Sequence, residues 1–327
     1  MSAVLGLLPD VRGGLGPLAR TGQHARLIRG YLRPYAAAFR RVVYFSYLSE
    51  RLEDFTSDPA VLERVSLVPG RRHPAALDGV LLPLRHGAIV RDCDVMRVFQ
   101  ATGSLPAVIC TTPELAAHVA RRAPQARVAL IPNGVDTELF VPRARPDGAP
   151  RTVIYVGRLS PEKNLGALVE AAGKLVGRWP LRLLFVGDGG EHPALEALAR
   201  ERGVEAVFVP VVSHERLPEL LAQADAFVLP SFTEGHPKAL LEAMSTGLAC
   251  VASDVAGNRA IVRHEQTGLL YDVGDTTALV EALGCVLTDR DLARRLGAQA
   301  RQDVRTRYDL SRLVAEEIAL LQSVARR

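Results

Sequence analysis

Two pairs of residues in this chain have the types and spacing for chemistry on a charged leaving group: Arg158 with Lys163, and Glu234 with Glu242. Arg158 offers a planar fork of donors and Lys163 a compact charge, so together they suit the two phosphates of a departing nucleoside diphosphate. Both lie in Gly157-Arg158-Leu159-Ser160-Pro161-Glu162-Lys163-Asn164, between an apolar run ending at Val156 and the next helical pattern. The plainer reading is a helix start with Pro161 near its first turn and two solvated cations. A lysine is nevertheless notable here, because Lys163, Lys174 and Lys238 are the only lysines among 40 basic residues.

Seven residues separate Glu234 from Glu242, in Glu234-Gly235-His236-Pro237-Lys238-Ala239-Leu240-Leu241-Glu242, which follows the apolar run Ala226-Phe227-Val228-Leu229-Pro230. Gly235 lets backbone approach a ligand closely, and the amides of a helix opening near Pro237 form an anion site. Glu234 then falls at a sugar end and Glu242, two turns into the helix, at a ribose end. The plainer alternative is an ordinary helix with a proline start and an acidic first turn.

Other candidates are weaker. Asp92-Cys93-Asp94 has the carboxylate spacing that holds a divalent cation beside a diphosphate, but it precedes an expected strand where the chemistry needs it to follow one. Gly187-Asp188-Gly189-Gly190 lacks the full glycine pattern of a dinucleotide loop, which argues against a nicotinamide enzyme. His24, His86, His118, His192, His214 and His264 are isolated and read as solvated or packed side chains, His236 being the exception by position. Cys93, Cys110, Cys250 and Cys285 have no paired spacing, as expected of reduced cytosolic thiols.

The elements needed to hold these residues are legible from residue 151 onward. Strands are expected at Thr152 to Val156, Leu181 to Val186, Ala206 to Val209, Ala226 to Leu229 and Ala249 to Ala252. Helices are expected between them at Leu165 to Gly177, His192 to Arg202, His214 to Gln223 and Pro237 to Thr246. This alternation forces right-handed parallel crossovers and so a doubly wound α/β sheet, whose ligands sit beyond the carboxyl ends of its strands. Three helices near Ala278 to Leu287, Asp291 to Val304 and Ser311 to Val324 close the chain.

The first 140 residues mix helical stretches with short apolar runs, at the N-terminus and at Arg41 to Phe45, Val80 to Leu82, Val95 to Phe99 and Val128 to Ile131. These read as buried strands. Residues 141–150, polar and rich in proline and glycine, read as a linker. A length of 327 residues suits two cores rather than one. The expected domains are therefore 1–140 and 151–327. Neither a signal-peptide pattern nor a run of ~18 apolar residues is present, so a cytoplasmic protein is expected. A net charge of +4 favours diphosphates or acidic lipid surfaces as partners, with peripheral contact at the inner membrane face left open, and is too mild to argue for nucleic acid.

Taken in order, these segments resemble the retaining glycosyltransferases of family 4. The resemblance runs from Ile131 to about Asp272. It includes Pro132-Asn133-Gly134-Val135-Asp136, the Arg158 and Lys163 pair, Gly187-Asp188-Gly189, the Glu234 and Glu242 pair, Gly247 to Asp254, Gly257, and Thr267-Gly268-Leu269-Leu270. It implies a GT-B fold of two Rossmann-like domains facing across a cleft, and metal-independent transfer from a nucleotide-diphosphate sugar to an acceptor hydroxyl, with no further cofactor. It implies catalytic roles for Arg158 and Lys163 on the diphosphate and for Glu234 on sugar hydroxyls. The donor-binding set it implies is Gly14, Gly157, Gly187, Gly235, His236, Pro237, Lys238, Ala239, Leu240 and Glu242, the last on the ribose.

The N-terminal Gly13-Gly14-Leu15-Gly16 is similar to the family's glycine loop, which approaches the donor phosphates. The donor that the resemblance implies is UDP-, GDP- or ADP-linked, and the acceptor a carbohydrate, a lipid-linked species or a small molecule. Two departures stand out. Gly103 to Ala107 runs almost directly into Val108 to Leu115, so several dozen residues of the family's N-terminal domain are absent, and Pro210 stands where the family commonly has glycine. The first departure keeps a second function open, a nucleotide-sugar-binding protein with weak or lost transferase activity.

Overall fold

The structure is a computed structural model and describes residues 3–8, 14–20, 22–46, 48–70, 87–98, 107–122, 124–144 and 150–325. The chain forms two compact units. The first comprises residues 1–110, 114–131 and 311–327, and the second residues 111–113 and 132–310. The expected strand at Val80 to Leu82 and residues 145–149 of the expected linker lie outside the described residues.

In the first unit β1 (Val4–Leu8), β2 (Arg41–Phe45), β3 (Val65–Val68) and β4 (Val95–Val98) make a parallel sheet in the order β3-β2-β1-β4. Strand β1 is apolar throughout, as a strand covered on both faces must be. Its one gap is filled from next door: a Cβ on Gly6 would stand 2.1 Å from Sδ of Met96, the residue opposite it on β4. Strands β5 (Ala107–Cys110) and β6 (Arg127–Leu130) form a separate parallel pair.

The helix Leu310–Ala325, expected to close the second domain, belongs to the first unit from Ser311 onward. Its apolar stripe supplies Leu313 and Leu320 to a cluster with Ile131, Ala107, Ile109 and Ala129. Its buried Glu317 accepts from Nε of Arg97 on β4, and its Gln322 donates to the Ala38 carbonyl at 3.2 Å. The apolar period of a helix says that one face is buried but not against what. These partners, distant in sequence, decide it.

The second unit holds β7 (Arg151–Val156), β8 (Leu181–Val186), β9 (Glu205–Val209), β10 (Ala226–Leu229), β11 (Ala249–Ser253) and β12 (Leu269–Tyr271), all parallel, in the order β12-β11-β10-β7-β8-β9. This is the doubly wound sheet that the alternation predicts. After β7 the chain winds outward through β8 and β9, then returns to the other side of β7 to lay down β10. The topological switch therefore lies between β7 and β10, where such sheets bind their ligands.

Residues 132–140, expected to end the first domain, belong to the second unit. Val135 exchanges backbone hydrogen bonds with Tyr308 and Leu310, both at 2.9 Å, and Phe140 is wholly buried in the unit's core. The expected helix from His214 shortens to Leu217–Leu221, with His214 to Arg216 in a turn, because the helix has Pro218 in its first turn.

Candidate functional site

The loops after β7 and β8 are locked together backbone to backbone. Gly157 N–H donates to the Val186 carbonyl at 2.9 Å, and Leu159 N–H to the Asp188 carbonyl at 2.9 Å. Gly187 adopts φ +142°, and a Cβ there would lie 2.0 Å from the Gly157 carbonyl oxygen, so only glycine fits. This clamp fixes the start of the segment that carries the two cations.

Arg158 and Lys163 then diverge. Arg158 is 75% exposed, with Nη1 3.8 Å from Oε1 of Glu162. Lys163 closes a short 3₁₀ turn, Pro161–Lys163, and its side chain is only 20% exposed. Its Nζ lies 2.7 Å from Oε1 of Glu234, across the switch from β7 to β10. Paired in the sequence as two cations for one diphosphate, they are in the structure one solvated guanidinium and one ammonium already held by a carboxylate.

Glu234, 10% exposed, accepts a second hydrogen bond on the same oxygen from Oγ of Ser231 at 2.7 Å. The loop bearing it is braced from every side of the sheet's carboxyl edge. Oγ of Ser253 on β11 donates to the Ser231 carbonyl at 2.6 Å, and the wholly buried Asn258 donates to the Ser253 carbonyl at 2.9 Å. Phe232 N–H donates to the Glu162 carbonyl at 2.9 Å. A Cβ on Gly257 would stand 2.3 Å from the Glu234 carbonyl, which is why a side chain cannot occupy that position. Asn133 Nδ2 donates to the His236 carbonyl at 2.7 Å. Three loops and the segment around Asn133 thus preorganise Glu234 and Gly235.

The helix Lys238–Ser245 opens on Pro237. Its Leu241 N–H closes a bond to the Pro237 carbonyl at 3.4 Å, and the amides of residues 238 to 240 precede that bond at the positive end of the helix dipole. Lys238 is exposed and Ala239 half-buried, while the Leu240 side chain is in the core, leaving its main chain as its contribution to a ligand. His236 is 8% exposed, its ring tilted against Tyr308 at 5.5 Å. Burial, reinforced by Arg307 and Lys238, lowers its pKa to about 4, so the imidazole is neutral at pH 7.

Glu242 lies one turn into this helix rather than two, buried, with Oε1 3.0 Å from Nε2 of His214. His214, set aside in the sequence as an isolated histidine, is thus the partner of a candidate site residue. Nothing in local spacing signals this, since they are 28 positions apart in sequence.

In the first unit Gly14 and Gly16 lie after β1, and Gly13 is outside the described residues. Leu15 and Gly16 N–H groups donate to the two carboxylate oxygens of Glu50 at 2.8 and 2.9 Å, and Ser46 Oγ donates to Oε1 of Glu50 at 2.6 Å. These two amides of the glycine loop are satisfied within the unit. Asp94 accepts from Val4 N–H at 2.6 Å, joining the amino ends of β4 and β1, at the edge opposite a ligand site. Among the described residues no helix is long and apolar enough to cross a membrane.

Two parallel-sheet α/β units, with the candidate residues at the switch of the second, define a GT-B fold. A sucrose-phosphate synthase from Thermosynechococcus elongatus superposes with a TM-score of 0.80 at 20% identity, covering 98% of this chain and 99% of that one. Anabaena HepE in complex with UDP and glucose gives 0.76 at 15% identity, covering 98% of this chain and 99% of that one. The family model of glycosyl transferases group 1 matches residues 136–303, and the chain belongs to that family. A D-inositol 3-phosphate glycosyltransferase of Nocardia farcinica is 36% identical over 192 residues, which is 53% of this chain and 43% of the relative. The chain spans about half the length of the curated relatives it matches.

Proposed function

We propose that the chain transfers a sugar from a nucleotide-diphosphate donor to an acceptor hydroxyl with retention of configuration and without a metal ion. The observation that carries this reading is the meeting of Lys163 and Glu234 at 2.7 Å across the β7/β10 switch, beside the opening of the helix Lys238–Ser245. A diphosphate near that opening gains backbone donors and a helix dipole. Lys163 and the exposed Arg158 then take up the charge that develops as the bond from the anomeric carbon to the phosphate oxygen breaks. Glu234, released from Lys163, accepts from sugar hydroxyls, and Glu242 from the ribose. In a retaining course a donor phosphate oxygen guides the acceptor hydroxyl to the same face, so the protein's contribution is preorganised charge.

Anabaena HepE holds UDP and glucose, which puts a uridine diphosphate sugar first among the donors to try. The acceptor is a carbohydrate, a lipid-linked species or a small molecule. The deciding experiment is a thermal-shift screen against UDP, GDP, ADP and their sugars, followed by product formation with the best donor. Stabilisation by one nucleotide series and transfer of its sugar support the reading, and no stabilisation by any of them contradicts it.

A specific observation favours a second reading, a nucleotide-sugar-binding protein with weak transfer. The Leu15 and Gly16 amides of the first unit are already occupied by Glu50, so they are not free donors for a diphosphate. Slow transfer with tight donor binding distinguishes it.

A further inference from the structure

We propose that His214 is a positioning residue for nucleotide recognition: it holds the Glu242 carboxylate in the orientation that reads the ribose hydroxyls. The proposal rests on the donor reading above and assigns a role to a residue outside the Glu234 and Glu242 pair. Side-chain exposure is 4% for His214 and 6% for Glu242, with 3.0 Å between Nε2 and Oε1. A carboxylate accepts and does not donate, so Nε2 carries the proton at this contact.

The imidazole is itself fixed. Phe140 packs on it with ring centroids 4.9 Å apart, and the Phe140 carbonyl is anchored by Ser245 Oγ at 2.8 Å and Arg301 Nη1 at 2.9 Å. Ser245 lies on the same helix as Glu242, so the brace runs from that helix through Phe140 and His214 back to its glutamate. A charge-assisted hydrogen bond from a ring buried and packed in this way fixes one carboxylate oxygen and with it the direction of the other. Carboxylates that recognise hydroxyl pairs depend on that direction.

The test compares UDP, GDP and ADP with their 2′,3′-dideoxy counterparts by calorimetry on wild type, His214→Leu and His214→Gln, with melting curves to confirm folding. Wild type is expected to prefer the ribose form of its nucleotide by about tenfold or more, the scale of one hydrogen bond to a charged group. His214→Leu is expected to reduce that preference to within about threefold, while binding of the dideoxy form barely changes. His214→Gln, whose side-chain amide restores a donor, is expected to recover most of it.

If His214→Leu does not fold, His214→Gln against His214→Asn makes the same comparison, since the asparagine amide is one methylene shorter and ends short of Glu242. A folded His214→Leu or His214→Asn that keeps the full ribose preference overturns the proposal and leaves the donor reading intact. A wild type that binds ribose and dideoxy forms equally overturns the assignment of Glu242 to the ribose, and absence of all nucleotide binding overturns the donor reading itself.

Discussion

Lys163 Nζ and Glu234 Oε1 lie 2.7 Å apart at the carboxyl ends of neighbouring strands, so the cation assigned to the diphosphate and the carboxylate assigned to the sugar are each other's partners before a donor arrives. Removing the lysine therefore leaves a largely buried carboxylate that keeps the hydrogen bond from Ser231 Oγ but has lost its counter-charge. Lys163→Ala is expected to cost about 1–3 kcal/mol of stability, whereas Arg158→Ala, at a 75% exposed side chain, should stay within about 0.5 kcal/mol. Both should lower turnover by ~10²-fold or more. Urea unfolding beside initial rates checks the contrast, and equal stability of the two variants would show that the pair is not formed in solution.

Glu234→Gln keeps shape and a hydrogen-bonding carbonyl but removes the charge. Sugar hydroxyls lose a strong acceptor while the diphosphate loses nothing, so donor-sugar affinity and use should fall by about tenfold or more with nucleoside diphosphate affinity nearly unchanged. Calorimetry with the diphosphate and its sugar separates the two. An equal loss for both ligands argues against the sugar role.

The charges needed at the leaving group are already present as Arg158 and Lys163. Activity and donor binding are therefore expected to survive excess chelator and to gain little from added magnesium or manganese. An absolute requirement for either ion moves the protein to a metal-dependent class.

His236 gives the fold a pH signature. Its pKa is about 4 in the folded chain against 6.5 unfolded, so below pH 6.5 the unfolded state binds the extra proton. Its contribution is complete above pH 6.5 and is lost progressively as the pH falls towards 4, by at most about 3 kcal/mol. His236→Gln should flatten that part of the stability profile relative to wild type. Parallel profiles for the two proteins would show that the imidazole titrates normally.

The second unit was legible in the sequence because each strand is an apolar run bounded by turn residues, and each candidate residue follows such a run. Arg158, Lys163, Glu234 and Gly235 could be placed at strand ends from order alone. Other features could not be read in this way, since each depends on contacts between residues distant in sequence. The address of the helix Leu310–Ala325 is set by Arg97 and by β5 and β6. The commitment of the Leu15 and Gly16 amides is set by Glu50, some 35 positions away. The pairing of His214 with Glu242 links a turn to a helix across 28 positions. Burial of Lys163 was also hidden, because a lysine's partner is invisible until β7 and β10 are known to be neighbours.

Binding of a nucleotide-diphosphate sugar at the β7/β10 switch through Lys163 and Glu234 is tested most directly by calorimetry of the wild type and of Lys163→Ala with UDP-glucose, and with GDP- and ADP-glucose beside it. One donor is expected to bind the wild type with micromolar affinity and to bind Lys163→Ala at least ~10-fold more weakly, the effect of losing a charged contact to phosphate. Equal affinity of the two proteins for that donor, or no binding of any of the three by the wild type, would contradict it.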